Sequence, residues 1–283
     1  MILLTGSSGF IGSNFINHFI ENKFKFLGLD KISNPYISSK HLVKVNLLNK
    51  KKLDKIFKKY KPKIIIHLAA NSGLNFCHMN QSEAFKNNIE VTLNLLQLCD
   101  KYKCQNILVT SSMAAEKFNL IPSFYGFTKI SVENLFKTYR KTFGINASIL
   151  RLSNIFGPFS VHKNSAIHEM IKCIYDKKKV FAIHGTGQQK RDFLYSKDLV
   201  TKILRISKKK DRKLVYNLKT NRKYSINQVF SLINKFSKSI IRSKKIDPPK
   251  GYDVTHDHDK DLKINKGFIE NMKKTINWYN KYL

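Results

Sequence analysis

Three side chains near the middle of the sequence could together move a proton to or from a hydroxyl group. Tyr125 and Lys129 lie four positions apart, so they share one face if the segment is helical. A free tyrosine has a pKa of about 10, and a neighbouring ammonium group favours its phenolate form. Ser112 follows an apolar run, and its hydroxyl could hold the substrate oxygen that exchanges a proton with Tyr125. A surface Tyr–Lys pair beside a polar loop serine is the alternative.

A glycine-rich segment near the first residue has the pattern of a dinucleotide-binding loop. Residues 5–12 read TGSSGFIG and stand between a predicted strand and a predicted helix. Gly6 would permit the tight turn, Gly9 would let backbone N–H groups approach a pyrophosphate, and Gly12 would let helix and strand pack closely. The N-terminus of that helix supplies partial positive charge to the phosphates. A purely structural glycine turn is the alternative.

An acidic residue at the end of the second predicted strand indicates which dinucleotide the loop would take. Asp30 lies 18 positions after Gly12. Its carboxylate could accept the ribose hydroxyls of NAD and would repel the 2′-phosphate of NADP. Lys31, directly beside it, could weaken this choice and allow NADP. We therefore predict NAD as the cofactor, with NADP less favoured.

The elements that position these residues follow from an alternation of short apolar runs with helical patterns. The runs are nearly continuously apolar, as in strands that are covered on both faces. They span residues 2–4, 26–29, 42–45, 64–69, 106–110 and 147–152. The alternation predicts an α/β fold, a Rossmann-type doubly wound parallel sheet with a smaller C-terminal substrate lobe.

The pattern becomes mixed and more polar after about residue 153. We predict an NAD-binding Rossmann domain over residues 1–153 and a mixed α/β substrate-binding lobe over residues 154–283, with segments that return to the sheet. Ser225 followed by Gln228 predicts a capping box that opens a helix. Residues 269–282 are predicted to form a closing helix.

Composition and charge limit the classes of protein that this chain can be. Of its 283 residues, 52 are Lys or Arg and 19 are Asp or Glu, which gives a formal net charge of +33. Most of the excess is scattered Lys, which favours a solvated basic surface; a polyanion-binding or membrane-surface role stays open. No apolar run approaches the roughly 20 residues of a membrane span. The first ten residues are too short and glycine-broken for a signal peptide, and four cysteines without a CxxC pair fit a reduced, cytoplasmic protein.

The motifs in their order along the chain resemble the extended short-chain dehydrogenase/reductase family, in particular its NAD-dependent epimerase/dehydratase group, which acts on nucleotide sugars. The resemblance includes the glycine loop, the strand-end serines with Ser112, and the pair Tyr125 and Lys129. It continues in the segments IIIHLAA (64–70), NNIEVTLNLL (87–96), RLSNIFGP (151–158) and GTGQQKRDFLYSKD (185–198).

The resemblance implies a role for each residue that matches a family motif. The implied catalytic residues are Ser112, Tyr125 and Lys129. The implied cofactor-binding residues are Gly6, Ser8, Gly9, Phe10, Ile11, Gly12, Asp30, Lys31, Asn46, Leu47, Leu68, Ala69, Ala70, Asn88, Tyr125 and Lys129. The implied substrate-binding residues are Ser112, Asn154, Lys163, Arg191, Lys250 and Asp253.

Several positions depart from the family pattern. Lys250 stands where Arg is usual, so a forked phosphate contact becomes a point charge. Asn46 stands where Asp is common near the adenine. Ser112 is followed by MAAEK and lies only 13 positions before Tyr125, which predicts a trimmed sugar pocket.

The resemblance implies a reaction in which Tyr125 removes a proton from a sugar hydroxyl, commonly at C4, while hydride passes from that carbon to NAD. The hydride later returns to the other face of the keto sugar. Related 4,6-dehydratases carry Asp-Glu after the Ser/Thr position, and this chain has Met113 and Ala114, which argues against dehydration. We therefore favour a nucleotide-sugar epimerase, in particular a UDP-sugar 4-epimerase. A keto-sugar reductase or dehydrogenase stays open, and so does a non-catalytic nucleotide- or RNA-binding Rossmann protein.

The resemblance also implies a homodimer. Its interface would be built from the helix after Ser82 and the helix after Tyr125, both of which carry apolar stripes. The alternative is that these stripes face the sheet. A nucleotide sugar is the expected small-molecule partner, and no metal ion or nucleic acid is expected.

Overall fold

Twelve strands are found in the part of the chain that the computed structural model describes, residues 1–116, 123–176, 180–237, 241–248 and 262–282. The strands are β1 (Ile2–Thr5), β2 (Phe26–Asp30), β3 (Leu42–Lys44), β4 (Ile64–His67), β5 (Asn106–Ser112), β6 (Ala147–Leu152), β7 (Asn154–Phe156), β8 (Val180–His184), β9 (Lys190–Tyr195), β10 (Val215–Leu218), β11 (Lys223–Ser225) and β12 (Arg242–Ile246).

Eleven α-helices and one π-helical turn are found in the same described residues. The helices are α1 (Phe10–Glu21), α2 (Lys50–Tyr60), α3 (Leu74–Met79), α4 (Gln81–Phe85), α5 (Val91–Lys101), α6 (Met113–Glu116), α7 (Phe124–Phe143), α8 (Ala166–Tyr175), α9 (Ser196–Ser207), α10 (Ile226–Phe236) and α11 (Lys266–Tyr282). The π-helical turn, Lys86–Glu90, leads directly into α5.

The backbone forms two compact units. The first contains Met1–Leu152 and Val200–Leu218, and the second contains Ser153–Leu199 and Lys219–Leu283. The second part of the sequence therefore sends one segment back to the first unit, where β10 pairs with β6. The assignment of NAD to residues 1–153 and of substrate to residues 154–283 stays a prediction.

The first unit is built on a seven-stranded sheet in the order β10-β6-β5-β4-β1-β2-β3. Every neighbouring pair is parallel, which confirms the predicted Rossmann-type architecture. The central strands are apolar on both faces because helices cover both faces. Leu3, Ile65, Ile107 and Ile149 from four of these strands are fully buried in one core cluster.

Five of the six predicted runs differ by one or two residues at one end from the observed strands, and the run 147–152 agrees with β6 at both ends. The run predicted to end at residue 69 leaves the sheet after His67, because its partner strand β1 ends at Thr5, opposite His67. The run predicted to end at residue 110 continues to Ser112, because β6 continues alongside it to Leu152. The apolar pattern alone could not predict where these two strands end, because each end depends on the length of a neighbouring strand.

Helix α7 has clear chemical signals at both ends. The Ser123 side chain accepts a hydrogen bond from the Gly126 N–H at 3.0 Å and so caps the first turn. The helix ends where Gly144 adopts a left-handed backbone with φ of 67°. Capping fixes the start of this helix one residue before Tyr125.

The second unit has its own small sheets and core. Strands β11, β9 and β7 form one sheet, and β12 pairs with β8 in another. The predicted capping box is confirmed, since the Ser225 side chain accepts from the Gln228 N–H and the Gln228 side chain accepts from the Ser225 N–H. The closing helix begins at Lys266, three residues before the predicted start. No helix among the described residues is long and apolar enough to cross a membrane.

Candidate active site

The predicted cofactor-binding residues gather at one edge of the parallel sheet. Because all its strands run the same way, the residues that follow β1 to β5 emerge at their shared carboxyl end, where α/β sheets bind ligands. The predicted cofactor-binding residues among them are Gly6, Ser8, Gly9, Phe10, Ile11 and Gly12 after β1, Asp30 and Lys31 at the end of β2, Asn46 and Leu47 after β3, and Leu68, Ala69 and Ala70 after β4. Ser112, predicted as a catalytic residue, ends β5.

Close backbone packing in the glycine loop requires glycine at two of its three glycine positions. Gly6 has a φ of 72°, and a Cβ there would lie 2.7 Å from the backbone nitrogen of Ala69. A Cβ on Gly12 would lie 2.0 Å from the Gly6 carbonyl oxygen, so only glycine lets α1 pack this closely on the turn that follows β1. Gly9 is exposed, and a Cβ there would meet only the Gly6 oxygen, at 3.4 Å. Helix α1 begins at Phe10 without a side-chain cap, so its first N–H groups fit an anionic ligand.

Asp30 is held beside this loop by backbone donors. The Ser8 N–H donates to Oδ2 at 2.9 Å, and the Ile32 N–H donates to Oδ1 at 3.3 Å. Lys31 forms an ion pair with Glu83 at 3.4 Å, so its charge is partly neutralised by a residue other than Asp30. A carboxylate oriented in this way, with lone pairs remaining, fits the ribose hydroxyls of NAD.

A buried chain of hydrogen bonds runs from the glycine loop to the π-helical turn. The Thr92 hydroxyl donates to the Asn88 carbonyl at 2.6 Å, so it accepts from His67 Nε2 at 3.0 Å. His67 Nδ1 is then left to accept from the Thr5 hydroxyl at 2.7 Å. Burial lowers the pKa of His67 to about 3, and Lys129 adds to this effect. His67 therefore stays neutral at physiological pH and acts as a fixed bridge between β4 and its neighbours.

Asn88 continues this chain to the helix that carries the catalytic candidates. Its side chain accepts from the Asn71 N–H at 2.7 Å and donates to the Asn71 carbonyl and the Thr128 hydroxyl, both at 3.0 Å. The Thr128 hydroxyl donates to the Tyr125 carbonyl at 2.8 Å. The wider π-helical turn places Asn88 for these contacts, and such turns are frequent at functional sites.

Ser112, Tyr125 and Lys129 come together as their spacing predicts. The Ser112 hydroxyl forms a hydrogen bond with the phenol oxygen of Tyr125. The Lys129 ammonium lies 5.7 Å from the centre of the Tyr125 ring and donates to the Thr110 carbonyl at 3.0 Å. Lys129 is only 5% exposed, so its charge is held in place rather than solvated. The arrangement can pass a proton between the phenol oxygen and a substrate oxygen bound at Ser112.

The expected lowering of the Tyr125 pKa is not found in this structure. Burial raises the pKa of Tyr125 to about 12, the hydrogen bond from Ser112 opposes this shift, and the nearby Cys77 thiol adds to it. The Lys129 ammonium lies over the Tyr125 ring and donates to the Thr110 carbonyl. Tyr125 is therefore a protonated phenol at neutral pH in this structure.

A buried ion pair supports the strand end that carries Ser112. Glu133 is 0% exposed and accepts from the Ser111 hydroxyl at 2.7 Å. It also accepts from Arg151 in forked geometry, from Nε at 2.9 Å and from Nη2 at 2.7 Å. The Glu133 carboxylate raises the pKa of Arg151 in turn. Sequence reasoning missed Glu133, although its place four residues after Lys129 on one helix face was a signal.

Cys77 is a second residue that the sequence did not point to. It lies on α3, its thiol donates to the Asn71 carbonyl at 3.4 Å, and burial raises its pKa. Its influence on the Tyr125 pKa places it near the phenol. Helix α3 thus forms part of the surroundings of the proton-transfer group.

Two of the predicted substrate residues in the second unit, Asn154 and Arg191, lie on paired strands. Asn154 begins β7 and donates to the Asp192 carbonyl at 3.2 Å, while Arg191 lies on the neighbouring β9. Burial lowers the pKa of Lys163, which precedes α8. Lys250 and Asp253 lie outside the described residues. The substrate roles of all five stay predictions.

Known proteins resemble the chain over most of its length. The model of the NAD dependent epimerase/dehydratase family matches residues 2–218. A dTDP-D-glucose 4,6-dehydratase of Dictyostelium discoideum is 31% identical over 255 residues, covering 78% of this chain and 58% of its own length, which is less than two thirds. A putative UDP-glucose 4-epimerase of Methanocaldococcus jannaschii is 30% identical over 255 residues, covering 82% of this chain and 81% of its own.

A solved structure gives the same result at the level of the fold. The UDP-N-acetylglucosamine 4-epimerase of Methanobrevibacter ruminantium, in complex with UDP-N-acetylmuramic acid, has a TM-score of 0.87 and 25% identity. It covers 100% of this chain, which in turn covers 98% of it. With the glycine loop, the Ser–Tyr–Lys group and the family match in agreement, the chain belongs to the NAD dependent epimerase/dehydratase family.

Proposed function

We propose that the chain is a nucleotide-sugar epimerase that inverts C4 of a UDP-sugar. As a family member it is an NAD-dependent enzyme of the epimerase/dehydratase type. The observation that carries the proposal is the hydrogen bond between Ser112 and Tyr125 at the cofactor edge of the sheet. The side chains after Ser112 belong to Met113 and Ala114, which cannot supply the acid and base that loss of water requires. The relatives that carry UDP-glucose and UDP-N-acetylglucosamine 4-epimerase names support the substrate class.

In the proposed reaction each of these residues has a separate role. The first N–H groups of α1 bind the pyrophosphate, and Asp30 binds the adenosine ribose. NAD, when bound, supplies a reversible hydride acceptor. Ser112 holds the sugar oxygen, and Tyr125 takes its proton and later returns one to the same oxygen. One group that both takes and returns a proton is sufficient for epimerisation.

Tyr125 must change its proton affinity during this cycle. With a pKa raised to about 12 it is a strong enough base as phenolate, but it is almost fully protonated at neutral pH. A cation near the phenol favours the phenolate form. Lys129 is the cation placed for this role, and a shift of its ammonium away from the Thr110 carbonyl would increase its effect on Tyr125.

We propose that the second unit binds the nucleotide diphosphate. Arg191 would contact phosphate oxygens, because a planar guanidinium offers two parallel donors. Asn154 would line the sugar-nucleotide site, and Lys163, Lys250 and Asp253 would contact phosphate or ribose. The proposal extends to a homodimer in the cytoplasm. The exposed rings of Phe85 and Phe127 on α4 and α7 support a dimer, and the four free cysteines fit a reducing compartment.

Product analysis tests the proposed reaction. The protein is incubated with NAD and, separately, with UDP-glucose, UDP-N-acetylglucosamine and UDP-glucuronate. We expect one of them to reach an equilibrium mixture of C4 epimers, resolved by chromatography, without net formation of NADH. Stoichiometric NADH would instead identify a dehydrogenase, and a product lighter by one water molecule would identify a dehydratase. Either outcome would overturn the epimerase proposal.

Asp30 leads to a prediction about cofactor choice. We expect NAD to bind more tightly than NADP, by about 10- to 100-fold, which is the range of one hydrogen bond to a charged group. Asp30→Asn should weaken the binding of NAD. It should also narrow the difference between the NAD and NADP affinities, because it removes the charge that repels a 2′-phosphate. Fluorescence titration of both cofactors measures this, with Asp100→Asn as an acidic-residue control. Equal or tighter NADP binding by the unaltered protein would mean that Lys31 or another lysine overrides Asp30.

A further inference from the structure

Helix α5 ends in a motif that brings two cysteines together. The Cys104 N–H donates to the Cys99 carbonyl at 2.9 Å, and the Lys103 N–H donates to the Asp100 carbonyl at 3.2 Å. Lys103 has a left-handed backbone with φ of 48°. These three features define a Schellman motif. A contact between the side chains at the two ends of its six-residue hydrogen bond, here Cys99 and Cys104, frequently accompanies this motif. In this chain both of those side chains are thiols.

The two thiols occupy different surroundings. Cys99 is 1% exposed and belongs to the core of the first unit, while Cys104 is partly exposed at its edge. A hydrogen bond joins the two side chains, which lowers the pKa of Cys104 and contributes to raising that of Cys99. The largest cause for Cys99 is its burial. Cys104 is thus the more readily ionised and more accessible thiol, with Cys99 directly beside it.

We infer that Cys104 and Cys99 form a redox modification site, at which a peroxide produces a reversible disulfide within one chain. The Cys104 thiolate attacks one oxygen of hydrogen peroxide, the O–O bond breaks, and the released hydroxide takes a proton to leave as water. Cys104 is then a sulfenic acid. The Cys99 sulfur attacks that sulfur, the S–O bond breaks, and a second water leaves. The two thiols together lose two electrons and two protons to the peroxide.

The other two cysteines serve as internal comparisons. The Cys77 thiol donates to the Asn71 carbonyl at 3.4 Å, and burial raises its pKa. The Cys173 thiol donates to the Val180 carbonyl at 3.6 Å and is also buried. A buried thiol that donates to a carbonyl is a poor nucleophile. We therefore expect both to survive a peroxide dose that oxidises Cys104.

Peptide mapping of the unaltered, full-length protein tests the inference. The native protein is treated with hydrogen peroxide and then unfolded in guanidinium chloride at mildly acidic pH, where thiol exchange is slow. Its remaining thiols are blocked there with N-ethylmaleimide, and the protein is digested with trypsin. Cleavage after Lys101 and Lys103 separates the two cysteines into peptides 87–101 and 104–117. We expect these two peptides to be joined in a species that dithiothreitol removes. The thiols that can still be blocked should fall from four to two.

Three outcomes would overturn the inference. They are a sulfinic or sulfonic acid on Cys104 without the joined peptides, earlier oxidation of Cys77 or Cys173, and a disulfide between two chains on a non-reducing gel. Cys99→Ala adds a second measurement, because a sulfenic acid on Cys104 then has no resolving thiol and should be trapped by dimedone. Cys173→Ala is the matched control and should still form the joined peptides. If Cys99→Ala does not fold, the mapping of the unaltered protein decides by itself.

Discussion

Replacing Tyr125 with phenylalanine is expected to lower kcat by about 10²–10⁴-fold, the usual contribution of a general acid–base group. The ring keeps its packing and only the hydroxyl is lost, so NAD affinity should be nearly unchanged. Turnover is measured by chromatography of the epimerised sugar nucleotide, and NAD affinity by fluorescence titration.

The control for this variant lies on the same helix. Tyr139 is a half-buried tyrosine of α7 that stacks on Phe143, and Tyr139→Phe should leave turnover unchanged. A Tyr125→Phe protein that retains turnover would exclude the proposed mechanism, even though the family assignment would stand. A loss of turnover that is matched by a loss of NAD affinity would instead indicate a structural role for the hydroxyl.

The parts of the site that the sequence predicted are those set by local geometry. Tyr125 and Lys129 are one helical turn apart, so any helix brings them to one face. The glycine loop is equally local, because a strand, a tight turn and a helix start occupy adjacent residues. The common edge at which Asp30, the glycine loop and Ser112 meet also followed, since parallel strands end together.

The parts that the sequence did not predict depend on contacts between distant segments. His67 joins β1 to α5, and its neutral state results from burial, which no local pattern contains. The raised pKa of Tyr125 has the same origin, because burial is its largest cause and the hydrogen bond from Ser112 only opposes it. The Cys99–Cys104 contact required the left-handed backbone of Lys103, a residue type that seldom adopts it.

Removing Glu133 is expected to have the largest effect on stability. Glu133→Ala should lower the free energy of unfolding by about 3–5 kcal/mol, the usual cost of deleting one partner of a buried ion pair. Arg151, whose side chain is 19% exposed, would keep a largely desolvated charge without its forked partner, and the Ser111 hydroxyl would lose its acceptor. Urea unfolding monitored by circular dichroism measures the change. Glu83→Ala is the control, because its exposed ion pair with Lys31 should contribute less than about 1 kcal/mol.

A double variant distinguishes the effect of the buried charges on stability from the effect of side-chain packing. Glu133→Leu combined with Arg151→Met replaces both ions with apolar side chains, so no buried charge is left unpaired, and such replacements are often neutral or stabilising. The double variant should therefore recover most of the stability that Glu133→Ala loses. It should still turn over more slowly than the unaltered protein, because the Ser111 hydroxyl, one residue before Ser112, no longer has its anchor on α7. Equal stability of the single and double variants would show that the ion pair is not what stabilises this strand end.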